Sequence, residues 1–449
     1  MSKWYEKGVF YHMYPLGMTG APKRNTQEAV TDRFEELKQW IPHIRSLGCN
    51  AIYIGPLFES TSHGYDTRDY KLADRRLGTN DGFKTFVSCC HSCGVKVVVD
   101  GVFNHTGREF FAFRDLLEKR EASPYRDWYR GINFSWQSPL GDPFSYEAWQ
   151  GHFELPCLNL KNPEVRAYLF EVIRFWIDEF GIDGIRLDCA NVLDFDFMTE
   201  LRTATGQMKE DFWLMGEVIH GEYARWVNDR MLHSVTNYEL HKALYSGHND
   251  HNYFEIAHNV RRLEQIGYQL YTFADNHDEN RLASKLKLKE HLPLVYLLLF
   301  TLPGIPSVYY GSEWGIPGMR TNVSDDELRP AISLSETASW NQELVSWIGA
   351  LGRIHSGHPE YHGGTYKELL LTNRQYAFAR LSEGSAAVTA ANNDEKEAVL
   401  RIPSPIPGKR AVNLLDGSEL PIENGFINLT LKANEGVILK IDPSDETCR

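Results

Sequence analysis

What most constrains this chain is an alternation that runs through its first three-quarters. Short runs rich in β-branched and aromatic residues are separated by stretches with helical spacing of apolar side chains. The runs fall at 9–14, 51–55, 95–99, 184–187, 212–215, 234–237, 270–273 and 307–310, and helical stretches at 31–47, 82–93 and 163–180 separate several of them. In the last stretch Arg166, Ala167, Leu169, Phe170, Ile173, Trp176 and Ile177 carry the helical period. Alternating strands and helices build parallel α/β folds. Eight repeats point to a (β/α)8 TIM barrel, whose active site sits at the C-terminal ends of the strands.

Two segments break the alternation. Residues 106–155 are rich in aromatics, Gly, Pro and Ser with one helical stretch, too long for an ordinary loop, and are expected to form an inserted subdomain. Beyond 363, short alternating runs divided by turn residues predict an antiparallel β-sandwich. The expected boundaries are therefore 1–105 and 156–362 for the barrel, 106–155 for the insertion and 363–449 for the C-terminal domain.

A formal charge of −13 argues against a nucleic-acid footprint, which requires a basic face. The longest apolar stretch, 294–300, is too short to span a bilayer, and the N-terminal residues contain no secretory apolar region. Seven cysteines inside periodic segments suit a reduced, cytoplasmic protein, although a chain trimmed of its signal would read the same. The oligomeric state is left open.

Polar residues collect where the strand runs stop. Asp100, Asn104 and His105 follow the third, Arg186 and Asp188 end the fourth, Glu217 ends the fifth, and Asn276, His277 and Asp278 end the seventh. One carboxylate after a strand is usually a helix cap. Three at separate strand ends, with two histidines and an arginine, suit glycoside hydrolysis, in which one carboxylate attacks the anomeric carbon and a second protonates the leaving oxygen. On residue chemistry alone, metal-assisted hydrolysis stays open.

The motifs resemble those of the α-amylase superfamily, glycoside hydrolase family 13. DGVFNH at 100–105, GIRLD at 184–188, GEV at 216–218 and FADNHD at 273–278 resemble its four ordered segments. GPLFES at 55–60, SHGYDTRDY at 62–70, LPCLN at 155–159 and GIPSVYYGSE at 304–313 support them. The resemblance implies that Asp188 is the nucleophile, Glu217 the acid/base and Asp278 the residue that grips the distorted sugar. It further implies that Arg186 orients the nucleophile, that His105 and His277 bind hydroxyls and that Tyr65 stacks on the sugar. Asp100 and Asn104 would be framework residues, and Arg281 would reach towards the next sugar.

Within the superfamily, SHGYDTRDYKLADRRLGTNDGFKTFV and NDRMLHSVTNYE are similar to the cyclomaltodextrinase, neopullulanase and maltogenic amylase branch. The implied substrate is a short or cyclic α-1,4-linked maltooligosaccharide. The alternatives are a starch-degrading α-amylase, a transglycosylase, an α-1,6-active enzyme, or a carbohydrate-binding barrel without catalysis. The chain departs from the branch in Cys157, in Ile219 and in a barrel expected to begin almost at Val9, where the branch usually carries an N-terminal β domain first. No cofactor is required by this reading, but calcium is a possible structural ion, with Asn104 as a ligand and the Val192 carbonyl in the second family position.

Other features carry blander expectations. Cys89, Cys90 and Cys93 are expected to be structural thiols, His248 and His251 surface loop residues, and Asp325, Asp326 and Glu327 a solvated loop. Trp128, Trp136 and Trp149 are candidates to line the cleft.

Overall fold

In a computed structural model, residues 3–26 and 28–443 are described. Eight parallel strands form one sheet: β1 Phe10–Met13, β2 Ala51–Ile54, β3 Lys96–Gly101, β4 Gly184–Leu187, β5 Trp213–Gly216, β6 Ser234–Val235, β7 Tyr271–Phe273 and β8 Ile305–Tyr309. Their order is β6-β5-β4-β3-β2-β1-β8-β7, and a Thr236–Tyr271 bridge joins the two ends, so the sheet closes into a barrel. All eight strands are buried but for the Lys96 side of β3, as expected of strands packed inside against one another and outside against helices.

The helices start where local chemistry says they should. Thr79 caps Asn80–Ser92 through the Gly82 N–H, Asn162 caps Pro163–Phe175, and Asp194 caps Phe195–Met208 through the Phe197 N–H. Two expected helices differ in detail. The stretch at 31–47 folds as Phe34–Lys38 and Trp40–Ser46, because Pro42 has no N–H to continue the ladder. The stretch at 163–180 is α-helical to Phe175, then widens into a π turn over Trp176–Phe180 and ends at Gly181 with φ 75°.

Two excursions stand above the C-terminal ends of the strands. After β2, a hairpin of Phe58–Ser60 and Thr67–Ala73 carries Tyr65 at its tip. Between β3 and β4, the insertion holds the helix Phe111–Lys119 and a hairpin of Ala148–Trp149 with His152–Pro156. It has its own edge-to-face aromatic core, in which Phe113 meets Tyr129, Phe144 and Tyr146.

Eight antiparallel strands follow: β9 Thr365–Leu371, β10 Gln375–Ser382, β11 Ser385–Asn392, β12 Ala398–Pro403, β13 Arg410–Asn413, β14 Glu419–Glu423, β15 Phe426–Leu431 and β16 Glu435–Ile441. Their order is β9-β10-β11-β16-β13-β14-β15-β12, and they enclose a core of Val388, Leu400, Ile402, Ile427 and Leu439. The helix Leu292–Thr301, buried on all sides, lies between the barrel and this sheet. Contact is so close at Gly436 that an added Cβ would stand 2.2 Å from Leu297 Cδ2. Among the described residues, no helix is long and apolar enough to cross a membrane.

Candidate active site

The barrel register brings the strand-end carboxylates together. Asp100 on β3 pairs with Arg186 on β4, and Leu187 pairs with Gly216 on β5. The next residues, Asp188 and Glu217, continue that pairing: Asp188 N–H donates to the Gly101 carbonyl at 3.1 Å and Glu217 N–H to the Leu187 carbonyl at 2.9 Å. Gly216 is required here, because a Cβ would lie 2.5 Å from Leu232 and 2.7 Å from Ala190.

One buried guanidinium ties the group. Arg186 Nη1 reaches Asp100 Oδ1 at 2.9 Å and Asp188 Oδ1 at 2.7 Å, while Nη2 reaches Glu217 Oε2 at 2.9 Å. Tyr53 donates to the other oxygen of Asp100 at 2.9 Å, so Asp100 holds the arginine from behind the cleft. A carboxylate oxygen of Asp188 and one of Glu217 lie within 4.8 Å of each other. Burial pushes the Glu217 carboxyl up to about 7; Arg186 opposes the rise, and Asp188 and Asp278 add to it.

Asp278 is held from another side. Its Oδ1 accepts from Arg329 at 2.9 Å, and its Oδ2 lies 3.0 Å from His277 Nε2. Burial pushes its carboxyl up, but His277, Arg329 and Arg186 outweigh burial and hold it below the usual range. Tyr65 Oη is 2.5 Å from the same His277 nitrogen, and the two rings stack at 5.7 Å. His105 turns Nδ1 to Asn104 at 3.2 Å, leaving its buried Nε2 without a partner. Unpartnered buried polar atoms are costly, which makes this nitrogen available to a ligand.

These groups line a cleft of about 930 Å³ that contains Tyr65, His105, Asp188, Glu217 and Asp278. Trp149, Gln150 and His152 of the inserted hairpin wall one side, with Trp149 stacked on His105 at 6.1 Å. Arg320, Asp325 and Arg329 wall another.

Several expectations need correction. Arg281 does not reach towards the cleft. It is fully buried and donates to the Tyr310 and Leu328 carbonyls and to Ser312, where its charge is satisfied by framework oxygens. Asp326 and Glu327 lie in an exposed loop as expected, but Asp325 in the same loop turns its carboxylate to Arg320 and Arg329 and lines the cleft. Trp128 is buried against Tyr125 and Tyr168, and Trp136 is exposed away from the cleft, leaving Trp149 alone of the three in its wall. His248 is a buried helical residue whose Nδ1 lies 2.6 Å from the Leu244 carbonyl. Cys89, Cys90 and Cys93 are free thiols; Cys448 lies outside the described residues.

Sequence reasoning missed Arg329, Arg320, Cys189 and Tyr238. Arg329 and Arg320 come from a segment without periodicity. Cys189 was legible as the residue after Asp188, and Tyr238 Oη lies 3.4 Å from Glu217 Oε1 while accepting from Asn276.

A separate cavity of about 240 Å³ lies beside Asn104 and Val192, the two residues at which the sequence resemblance would place a calcium. Arg130 and Lys161 also line it. Its one carboxylate, Asp194, already accepts from Arg166 and from the Phe197 N–H, and Asn104 presents its amide N–H₂ to His105. Calcium takes six to eight oxygens, and the two cations in this lining, Arg130 and Lys161, count against it, although both Asp194 contacts fall on Oδ1 and Oδ2 carries no hydrogen bond among the described residues.

Residues 25–347 match the family model for the α-amylase catalytic domain. The chain is 30% identical to a cyclomaltodextrinase of Bacillus sp over 427 residues, covering 89% of this chain and 75% of that protein. It is 32% identical to neopullulanase 2 of Thermoactinomyces vulgaris over 464 residues, covering 97% of this chain and 78% of that one. The solved structure of the Nostoc punctiforme debranching enzyme superposes with a TM-score of 0.84 at 29% identity, covering 98% of this chain and 99% of that one. With its closed barrel, its antiparallel C-terminal sheet and a family match across most of its length, the chain belongs to the α-amylase family and is a glycoside hydrolase.

Proposed function

We propose that this hydrolase cleaves α-1,4-glucosidic bonds in short or cyclic maltooligosaccharides and retains the anomeric configuration. The observation that carries the mechanism is the single Arg186 guanidinium bridging Asp188 and Glu217, with carboxylate oxygens within 4.8 Å. Retaining enzymes hold their two carboxyl groups about 5–5.5 Å apart, whereas inverting ones leave about 6.5–9.5 Å for a water.

Asp188 attacks the anomeric carbon as protonated Glu217 gives its proton to the leaving glycosidic oxygen. The C–O bond breaks and a glycosyl ester forms. Glu217, now ionised, takes a proton from water, which displaces Asp188 and frees the sugar. Asp278 and the His105 Nε2 bind hydroxyls of the distorted ring, and Tyr65 lies against its face. Binding that strengthens only as the ring flattens lowers the barrier rather than merely the KM.

The short-substrate reading rests on the relatives named cyclomaltodextrinase and neopullulanase, and on the inserted hairpin that lines the cleft with Trp149. Action on α-1,6 bonds is the second reading, favoured by the full-length likeness to a debranching enzyme. Cyclodextrins, maltotriose, pullulan and starch, with product anomers followed by NMR, separate the readings. Preference for long starch over every small substrate overturns the first, and an initial β-anomer overturns the two-step mechanism. Calcium plays no part at Asn104 in this proposal, so chelation should leave the melting temperature unchanged.

A further inference from the structure

Two adjacent carboxylates beyond β7 face different partners. Asp278 is turned to His277 and Arg329, on the side where Tyr65 stacks. Glu279 is turned the other way, towards the helix Tyr238–Asn249 that follows β6. Its Oε2 accepts from Lys285 at 2.5 Å and lies 3.5 Å from His241 Nε2. Lys285 is fixed in turn, its ammonium 2.9 Å from the same His241 nitrogen and 4.5 Å from the centre of the Tyr245 ring. An ammonium has no acceptor, so His241 Nε2 accepts; burial holds this histidine below its usual range and so neutral. Burial pushes the Glu279 carboxyl up, but His241 and Lys285 outweigh burial and hold it at about 2, so it is ionised wherever Glu217 titrates. All of these contacts fall on Oε2. Oε1 accepts no hydrogen bond among the described residues, and Glu279 lines the cleft.

The acid/base shows which sugar this oxygen meets. The Arg186 and Cys189 N–H contacts of Glu217 both fall on Oε2, so the proton for the leaving oxygen sits on Oε1. That oxygen lies 3.4 Å from Tyr238 Oη. Tyr238 lines the cleft at the start of the helix whose next turn carries His241, with the two rings 6.2 Å apart. Tyr238 and Glu279 thus share the wall beside the proton donor, away from the face that holds Asp278.

We propose that Glu279 binds hydroxyls of the sugar on the leaving side of the scissile bond, and that Lys285 and His241 position it to do so. The inference deepens the α-1,4 reading and rests on it. An ionised carboxylate offers only acceptors, so it takes the O–H donors of a neutral sugar and repels an acidic one at the same place. Lys285 is not in the cleft wall, and its charge is directed onto Oε2, so the sugar meets the acid and not the base.

Two substrates with the same glycon separate this role from a structural one. Maltotriose has a glucose on the leaving side, whereas 4-nitrophenyl α-maltoside has an aryl group without sugar hydroxyls. In Glu279→Ala the ratio of kcat/KM for maltotriose to that for nitrophenol release is expected to fall about ten- to hundredfold, the range for hydrogen bonds to a charged group. Lys285→Met leaves Glu279 present but unheld and should lower the same ratio by a smaller factor. A ratio unchanged from the parent in Glu279→Ala overturns the proposal, whether both substrates suffer together or neither does. Should Glu279→Ala fail to fold by circular dichroism, Glu279→Gln replaces it, expected to lower the ratio and overturning the proposal if it does not. The parent's own turnover of maltotriose tests the α-1,4 reading, so failure of that reading and failure of Glu279 show in different measurements.

Discussion

At Glu217, one side chain ties the chemistry to the stability of the fold. Burial raises its carboxyl to about 7, so the protonated form needed to release the leaving group persists near neutrality and is lost above it. The kcat/KM profile is expected to fall on its alkaline side through about pH 7. Glu217→Gln should lower kcat by about 10²–10⁴-fold, the usual contribution of a positioned acid/base. The same variant should melt higher than the parent at pH 8. The fold binds this proton more tightly than the unfolded chain does, so the stability it contributes is present at low pH and lost as pH rises towards 7. A neutral amide escapes that loss, so the difference should vanish near pH 4. Equal melting curves at pH 8 would contradict the burial argument. Asp188, Glu217 and Asp278 were legible in the sequence because a carboxylate following an apolar strand stands out against its neighbours. Arg329 was not, because nothing local distinguishes an arginine that pairs with Asp278 across 51 residues from one on the surface.

The elements matter through what they carry to the strand ends. The hairpin of Ala148–Trp149 and His152–Pro156 hangs beside His105, with its turn at Gln150 and Gly151 in left-handed conformations. Trp149→Ala removes a flat apolar wall and should raise KM for maltotriose by about three- to tenfold, with kcat little changed, since each tenfold is about 1.4 kcal/mol. A kcat loss without a KM change would place Trp149 nearer the reacting atoms than the geometry does. On β5, Gly216→Ala forces a methyl group against Leu232 and Ala190. Overpacking of this kind costs about 1–3 kcal/mol. Because Glu217 is the next residue, the variant should lose activity at temperatures where circular dichroism shows it folded. Unchanged kcat at those temperatures would show that the strand absorbs the methyl group without moving Glu217. Such strands were easy to read from their β-branched runs. The broken helix at 34–46 was not, since its apolar spacing runs on through Pro42.

Across the whole molecule, the barrel and the C-terminal sheet are joined by buried polar ties as well as apolar contact. Glu360, fully buried, accepts from Lys440 on β16 and from Ser385 on β11. Arg380, also buried, donates to the Gly364 and Thr301 carbonyls. Lys440→Met leaves the Glu360 carboxylate without its cation, and breaking a buried pair costs about 3–5 kcal/mol. The melting temperature should fall, while kcat of the folded fraction stays at the parent value because neither Glu360 nor Lys440 is among the residues that line the cleft. A neutral melting temperature would show that water reaches Glu360. By itself the sequence determined the order of elements, the barrel and the residues at its strand ends, because hydrophobic period and turn chemistry are local and the strand period fixes which side chains face inward. Only the tertiary structure decided which of those residues meet. The register of β3, β4 and β5 put one Arg186 between Asp100, Asp188 and Glu217, buried Arg281 away from the cleft, and turned Cys189 back onto the carboxylate it follows. Pairing across a barrel depends on closure between segments far apart in the chain, and no local pattern encodes it.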